Sequence, residues 1–210
     1  MNIFSIESFM DELAKAAKDD PVAFRLKHLE DPRARDVVAL AAERFGWDKR
    51  PKPENGRGYG FAFARYKNLA AYCAIAMEVE MDRTTGRIHV KRAVSAVDSG
   101  QVVNPDGVRN QIEGAILQST SWTLYENVTF DETRITSVDW ATYPIMRFNN
   151  LPDSVDVHII DKPGLPFLGA GEAGQGPAAA AVANAIADAT GQRFRDLPLV
   201  PAKLKLASSI

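Results

Sequence analysis

The chain has 210 residues, 46% of them hydrophobic and 25% charged, with a formal net charge of −2. That composition is ample for a buried globular core, and a near-neutral balance removes the electrostatic case for binding nucleic acid or an anionic membrane. Cys73 is the only cysteine, which excludes an internal disulfide and any all-cysteine metal or iron–sulfur site built within this chain.

In chain order, residues 5–46 read as helical. Ile6, Phe9, Met10, Leu13 and Ala17 follow Ser5 at helical spacing, with Ser5 as the expected N-cap. Asp20-Pro21 and Asp31-Pro32 mark two further helix starts, each an acidic cap followed by a proline suited to the first turn, and Gly46 ends the last helix. Residues 47–58 (WDKRPKPENGRG) are rich in Pro, Lys and Gly and read as a linker or exposed loop.

The period then changes. Residues 59–66, 71–81 and 87–97 read as three strands joined by turns, the second turn being Asp82 to Gly86, so a β-meander is expected. Asn104-Pro105-Asp106 opens a helix to about Tyr125, with Val108, Ile112, Ala115 and Ile116 on one face. Short strands are expected over 127–137 and 154–160, then a Gly-rich loop, an Ala-rich helix over 178–190 stopped by Gly191, and an extended stretch at Leu197-Pro198-Leu199. The expected fold class is α+β, made of N-terminal helices, a mixed and mainly antiparallel sheet region, and a C-terminal helix after the loop. The expected division is a helical segment over 1–50 and an α+β domain over 51–210.

The loop 166–177 (PFLGAGEAGQGP) sets one carboxylate, Glu172, among four glycines ahead of a helix whose first turn offers free N–H groups and a positive dipole end. Its glycines satisfy G-x-G-x-x-G, but Pro163 and Pro166 separate them from the preceding strand, and too little chain follows for the sheet a dinucleotide fold needs. The bland account of Glu172 is a carboxylate that complements the helix dipole. Gln111 and Gln118 lie one heptad apart and share a face, where two amides suit a polar heterocycle as well as a solvated stripe. His28, His89 and His158 are scattered without metal-ligand spacing; Cys73 reads as a buried small apolar residue. Asp98 and Asn104 read as turn and capping residues, and Trp122, Trp140 and Phe148 as core aromatics or the walls of a channel.

Taken together and in order, several segments resemble the C-terminal part of the molybdopterin-binding large subunit of the xanthine oxidase family, of the isoquinoline 1-oxidoreductase and aldehyde dehydrogenase type. They are ESFMDELA at 7–14 with DPVAFRL at 20–26, GRG at 56–58, VDSG at 97–100 with VNP at 103–105, QIEG at 111–114, Gly171-Glu172, and ANAI at 183–186 with ATG at 189–191 and RDLP at 195–198. The resemblance implies a molybdenum-dependent oxidoreductase that hydroxylates an aldehyde or an N-heterocycle with water-derived oxygen. Glu172 corresponds to the general base, and Gln111, Gly171, Ala173 and Gly174 to positions contacting the cofactor; no residue here is implied as a direct metal ligand. The implied cofactor is molybdopterin, in its plain or cytosine dinucleotide form, with 2Fe–2S clusters on a separate small subunit. The remaining large-subunit segment is a second implied partner, because the likeness covers only the last quarter to third of such a subunit. The chain therefore resembles one piece of a larger enzyme, inactive by itself. Ala173 stands where the family commonly has proline, and Gln118-Ser119 where Gln-Gly is usual. No stretch reads as a membrane span, and the expected location is the cytoplasm, with the periplasm as the alternative. The readings that compete with this one are a nucleotide- or phosphate-binding module built on residues 169–174 and a non-catalytic fragment.

Overall fold

A computed structural model describes residues 1–207, with side chains through residue 205. Its elements are helices α1 (Asn2–Ala16), α2 (Pro21–His28), α3 (Pro32–Phe45), α4 (Pro105–Leu124), α5 (Gln175–Thr190) and α6 (Pro201–Ala207), and strands β1 (Arg57–Arg65), β2 (Tyr72–Met81), β3 (Ile88–Asp98) and β4 (Ser154–Ile160). The four strands form one sheet in the order β1-β2-β3-β4. The first three are antiparallel, as the meander reading expects, and β4 pairs parallel to β3. The result is the expected α+β class.

The sheet is covered on both faces. Alternate residues of β2 separate cleanly: Cys73, Ile75, Met77 and Val79 enter a core with α4 and α5, while Tyr72, Ala74 and Ala76 enter a second core with α3. Two buried faces explain why the strand sequences lack polar alternation. On one face α5 lies very close to β1, because Gly58 and Gly60 have no side chains to hold it away. A Cβ on Gly60 would stand 2.0 Å from the Ala181 carbonyl oxygen and 2.3 Å from Ala185 N.

The capping signals behave as their chemistry requires. Asp20 accepts from Val22 N and Ala23 N, Asp31 from Arg33 N, and Asn104 from Gly107 N, while Gly46 and Gly191 close α3 and α5 in the left-handed conformation. Three expectations need correction. Ser5 is not a cap, since α1 begins at Asn2; Phe4 is 5% exposed in the core, and that burial rewards an earlier helix start. Residues 127–137 form no strands beyond one bridge, Phe130 to Ile135, since no neighbouring edge offers them a ladder. The Pro-rich stretch begins after Trp47, which is 2% exposed and donates its ring N–H to Asp20. Asp98 keeps the expected turn role, accepting from Gly100 N at 2.8 Å, and adds a buried ion pair, receiving Arg33 Nε at 2.8 Å and Nη2 at 2.5 Å. Helix α6 was outside the expectation. The expected boundary at 50/51 falls after a 3-10 turn at Trp47–Lys49; N-terminal to it, α3 packs on β2 and β3 and α1 on α5.

Candidate active site

Three elements build the region around Glu172. Residues 161–174 run from β4 to α5 as an irregular segment. It is stitched to the end of β3, where Leu168 N donates to Ser99 O at 2.7 Å and Lys162 N to Gly100 O at 3.1 Å. It is also stitched to the β1–β2 connection, where Ala71 N donates to Gly169 O at 3.2 Å. Gly100 is required in the first contact: its φ is +75°, and a Cβ there would meet the Pro166 carbonyl oxygen at 2.0 Å. Helix α5 then begins at Gln175, three residues after Glu172, so Glu172 lies just outside the N-terminal turn.

Glu172 is exposed, and its Oε2 accepts a hydrogen bond from the Tyr66 hydroxyl. Both line a cavity of about 900 Å³, with Phe4, Trp122, Tyr143 and Ala173 among its other walls. Gln111 donates its Nε2 to the Gly171 carbonyl oxygen at 3.2 Å, and one heptad later Gln118 accepts from Gln175 Nε2 at 2.6 Å. The shared amide face of α4 thus grips the segment from Gly171 to Gln175. Gln111 and Gly171 border a smaller cavity of about 330 Å³ beside the start of α4. Gly174 is buried where α5 crosses α4, since a Cβ there would come within 3.1 Å of Ala115 Cβ.

The other candidates separate. Trp122 reaches the large cavity, whereas Trp140 and Phe148 are 66% and 94% exposed on the 126–150 segment. His89 pairs with Asp153, and His158 borders a different cavity, where burial and then the Arg44 charge hold its imidazole below the usual value. Among the described residues, no three His, Cys, Asp or Glu side chains form a group able to hold a metal ion. The sequence reading missed Tyr66, which it placed as the last residue of a strand. It also missed Phe4, which α1 delivers to the cavity wall. Neither carries a local signal, because each meets Glu172 or its cavity only through packing across the sheet.

The model of a molybdopterin cofactor-binding domain matches residues 6–152. The chain belongs to that family. It is 46% identical over 98% of its length to a nicotinate dehydrogenase subunit from Pseudomonas putida, and 34% identical over 98% to the beta subunit of isoquinoline 1-oxidoreductase from Brevundimonas diminuta. It spans 18% and 26% of those two relatives. The fold is that of the aldehyde oxidoreductase from Desulfovibrio gigas, with a TM-score of 0.82 over 99% of this chain and 40% of that one, at 15% identity. The likeness to large subunits of the xanthine oxidase family is borne out.

The residues of this molybdopterin-binding domain fit an organic cofactor. Gln111 spends one amide hydrogen on Gly171, which leaves its second amide hydrogen and its carbonyl oxygen with hydrogen-bonding capacity to spare. At Gly171 a side chain would stand 3.6 Å from that amide, and at Gly169 nothing lies within 4 Å, so the backbone there is open to close approach. Such amide and backbone groups hydrogen-bond a heterocycle rather than ligate a metal. The dinucleotide fingerprint gains no support, because three of the four strands are antiparallel and α5 lies against β1 rather than following directly on a strand.

Proposed function

We propose that this chain supplies the proton-transferring carboxylate of a molybdenum hydroxylase, with Glu172 as general base in the oxidation of an aldehyde or N-heterocycle by water-derived oxygen. The observation that carries the reading is the position of Glu172: an exposed carboxylate at a helix entrance, on the wall of a cavity large enough for a small substrate. The molybdenum cofactor supplies the two-electron oxidation when bound. Gln111 would hold it through its free amide hydrogen and carbonyl oxygen and Gly171 through its open backbone, with Ala173 and Gly174, both buried, shaping the turn behind them. Residues 51–210 form the molybdopterin-binding part, with the helical segment 1–50 as its support.

Glu172 takes the proton of the hydroxyl that enters the substrate and passes it to solvent, to which its carboxylate is open. Phe4, Tyr66, Trp122 and Tyr143 give the cavity flat apolar walls, which favour a planar N-heteroaromatic over a small aliphatic aldehyde. The names nicotinate dehydrogenase and isoquinoline 1-oxidoreductase point the same way. The remaining large-subunit segment would complete the cofactor site around a pterin in its plain or cytosine dinucleotide form, and 2Fe–2S clusters on a small subunit would take the electrons.

The test is Glu172→Gln in the assembled enzyme. Turnover is expected to fall by about 10²–10⁴-fold while molybdenum content stays at the wild-type level. Near-normal turnover in the loaded variant refutes the assignment.

A further inference from the structure

We propose that Tyr66 is a positioning residue that holds the Glu172 carboxylate in its working orientation, an inference that rests on the general-base reading of Glu172. The Tyr66 hydroxyl donates to Glu172 Oε2, which leaves Oε1 as the oxygen free to take a proton. A glutamate side chain has three rotatable bonds, and on an exposed loop it otherwise samples many rotamers. One fixed hydrogen bond reduces that freedom, and proximity catalysis depends on such reduction.

Tyr66 is itself held. It sits at the start of a 3-10 turn, Tyr66–Asn68, directly after β1. Its backbone N–H donates to Ala71 O at 2.8 Å, and its carbonyl accepts from Leu69 N at 3.2 Å and Ala70 N at 2.9 Å. Ala71 in turn bonds Gly169 in the segment that carries Glu172, so donor and acceptor are fixed to one framework rather than to two independent loops. Lys67 and Asn68 follow at φ 51° and 58°, a left-handed pair without glycine that turns the chain at the cavity rim. The Lys67 ammonium lies 5.2 Å from the Tyr66 ring centroid. A cation there is attracted to the face of the ring and helps to hold it in place.

The test uses Tyr66→Phe and Glu172→Gln, singly and together, in the complete large subunit, with two readouts. In the cofactor-free protein, the infrared difference between wild type and E172Q isolates the Glu172 carboxylate stretch. The same difference between Y66F and the double variant is expected to show that band shifted and broadened. In the loaded enzyme, Y66F is expected to retain molybdenum and to lose about tenfold in kcat with KM nearly unchanged, the order of effect of one hydrogen bond to a charged group. An unmoved band with wild-type kcat in Y66F, while E172Q is inactive, overturns the positioning role alone. Loss of molybdenum in Y66F also overturns it, in favour of a structural role. Normal turnover in E172Q instead removes the base assignment on which the inference stands.

Discussion

Cys73 shows how completely this fold sets the chemistry of a single group. It is fully buried on β2 with its Sγ 3.4 Å from Ser95 Oγ on β3, and burial pushes its thiol from an ordinary 9.0 up to about 12. The folded protein therefore keeps a proton that the unfolded chain releases above pH 9.0. The corresponding stabilisation is complete below that pH and is lost as pH rises toward about 12, at roughly 1.4 kcal/mol per pH unit. Urea midpoints measured against pH should fall more steeply for wild type than for Cys73→Ala across that window; parallel curves would contradict the burial argument. Near neutral pH, alkylation of Cys73 should proceed no faster than unfolding. Glu172 differs at the same scale: it is an exposed carboxylate that accepts from the Tyr66 hydroxyl on the wall of the large cavity.

At the scale of elements, the contact between α5 and β1 decides the architecture around the site. Gly58 and Gly60 recur on one face of β1, and Ala181, Ala185 and Ala189 recur every fourth residue on α5, so backbone meets backbone with no side chain between them. Gly60→Ala should push the helix off the sheet and cost about 3 kcal/mol or more, because the atoms in the way belong to backbone that cannot step aside. Chemical denaturation measures this, and a change below about 1 kcal/mol would show that the close approach is not obligatory. Displacing α5 also displaces Glu172 at its entrance, so in the assembled enzyme the same variant should lower kcat out of proportion to its effect on KM.

At the scale of the molecule, one buried charge ties the layers together. Glu7 on α1 is 5% exposed and accepts from Arg25 Nε on α2 at 2.8 Å and from Phe63 N on β1 at 2.7 Å. Burial raises its carboxyl above the usual value, and the Arg25 charge opposes that rise. Asn184 on α5 donates to Phe61 O at 2.9 Å and to Glu7 O at 3.3 Å, so four elements meet at one point. Glu7→Ala removes the 2.8 Å carboxylate partner of the Arg25 guanidinium, which is only 2% exposed, and leaves it the longer 3.4 Å pair with Asp11, so it should cost about 3 kcal/mol. Because the knot joins α1, α2, the sheet and α5, wild-type unfolding followed by far-UV dichroism and by tryptophan fluorescence should give coincident curves. A separate early helical transition would show that the N-terminal helices fold apart from the sheet.

Elements whose signals are local were legible in the sequence. Acidic caps before proline mark α2 and α3, glycines close α3 and α5, and the apolar runs of β1 to β3 with a turn at Asp82 to Gly86 mark the meander, because each depends on neighbours within a few residues. Glu172 and Gln111 were also visible as candidates, the first from its glycines and the second from its place on a helix face. What lay beyond the sequence are the pairings between distant residues: Tyr66 with Glu172, Arg33 with Asp98, Arg25 with Glu7, and Phe4 at the cavity wall. ESFMDELA and DPVAFRL stood out as motifs, yet that Glu7 and Arg25 meet within them appears only once α1 and α2 pack. A capping bond or a turn is written in adjacent residues, whereas a carboxylate's partner is selected by which helix the two glycines of β1 admit, and that is settled by packing of the whole chain.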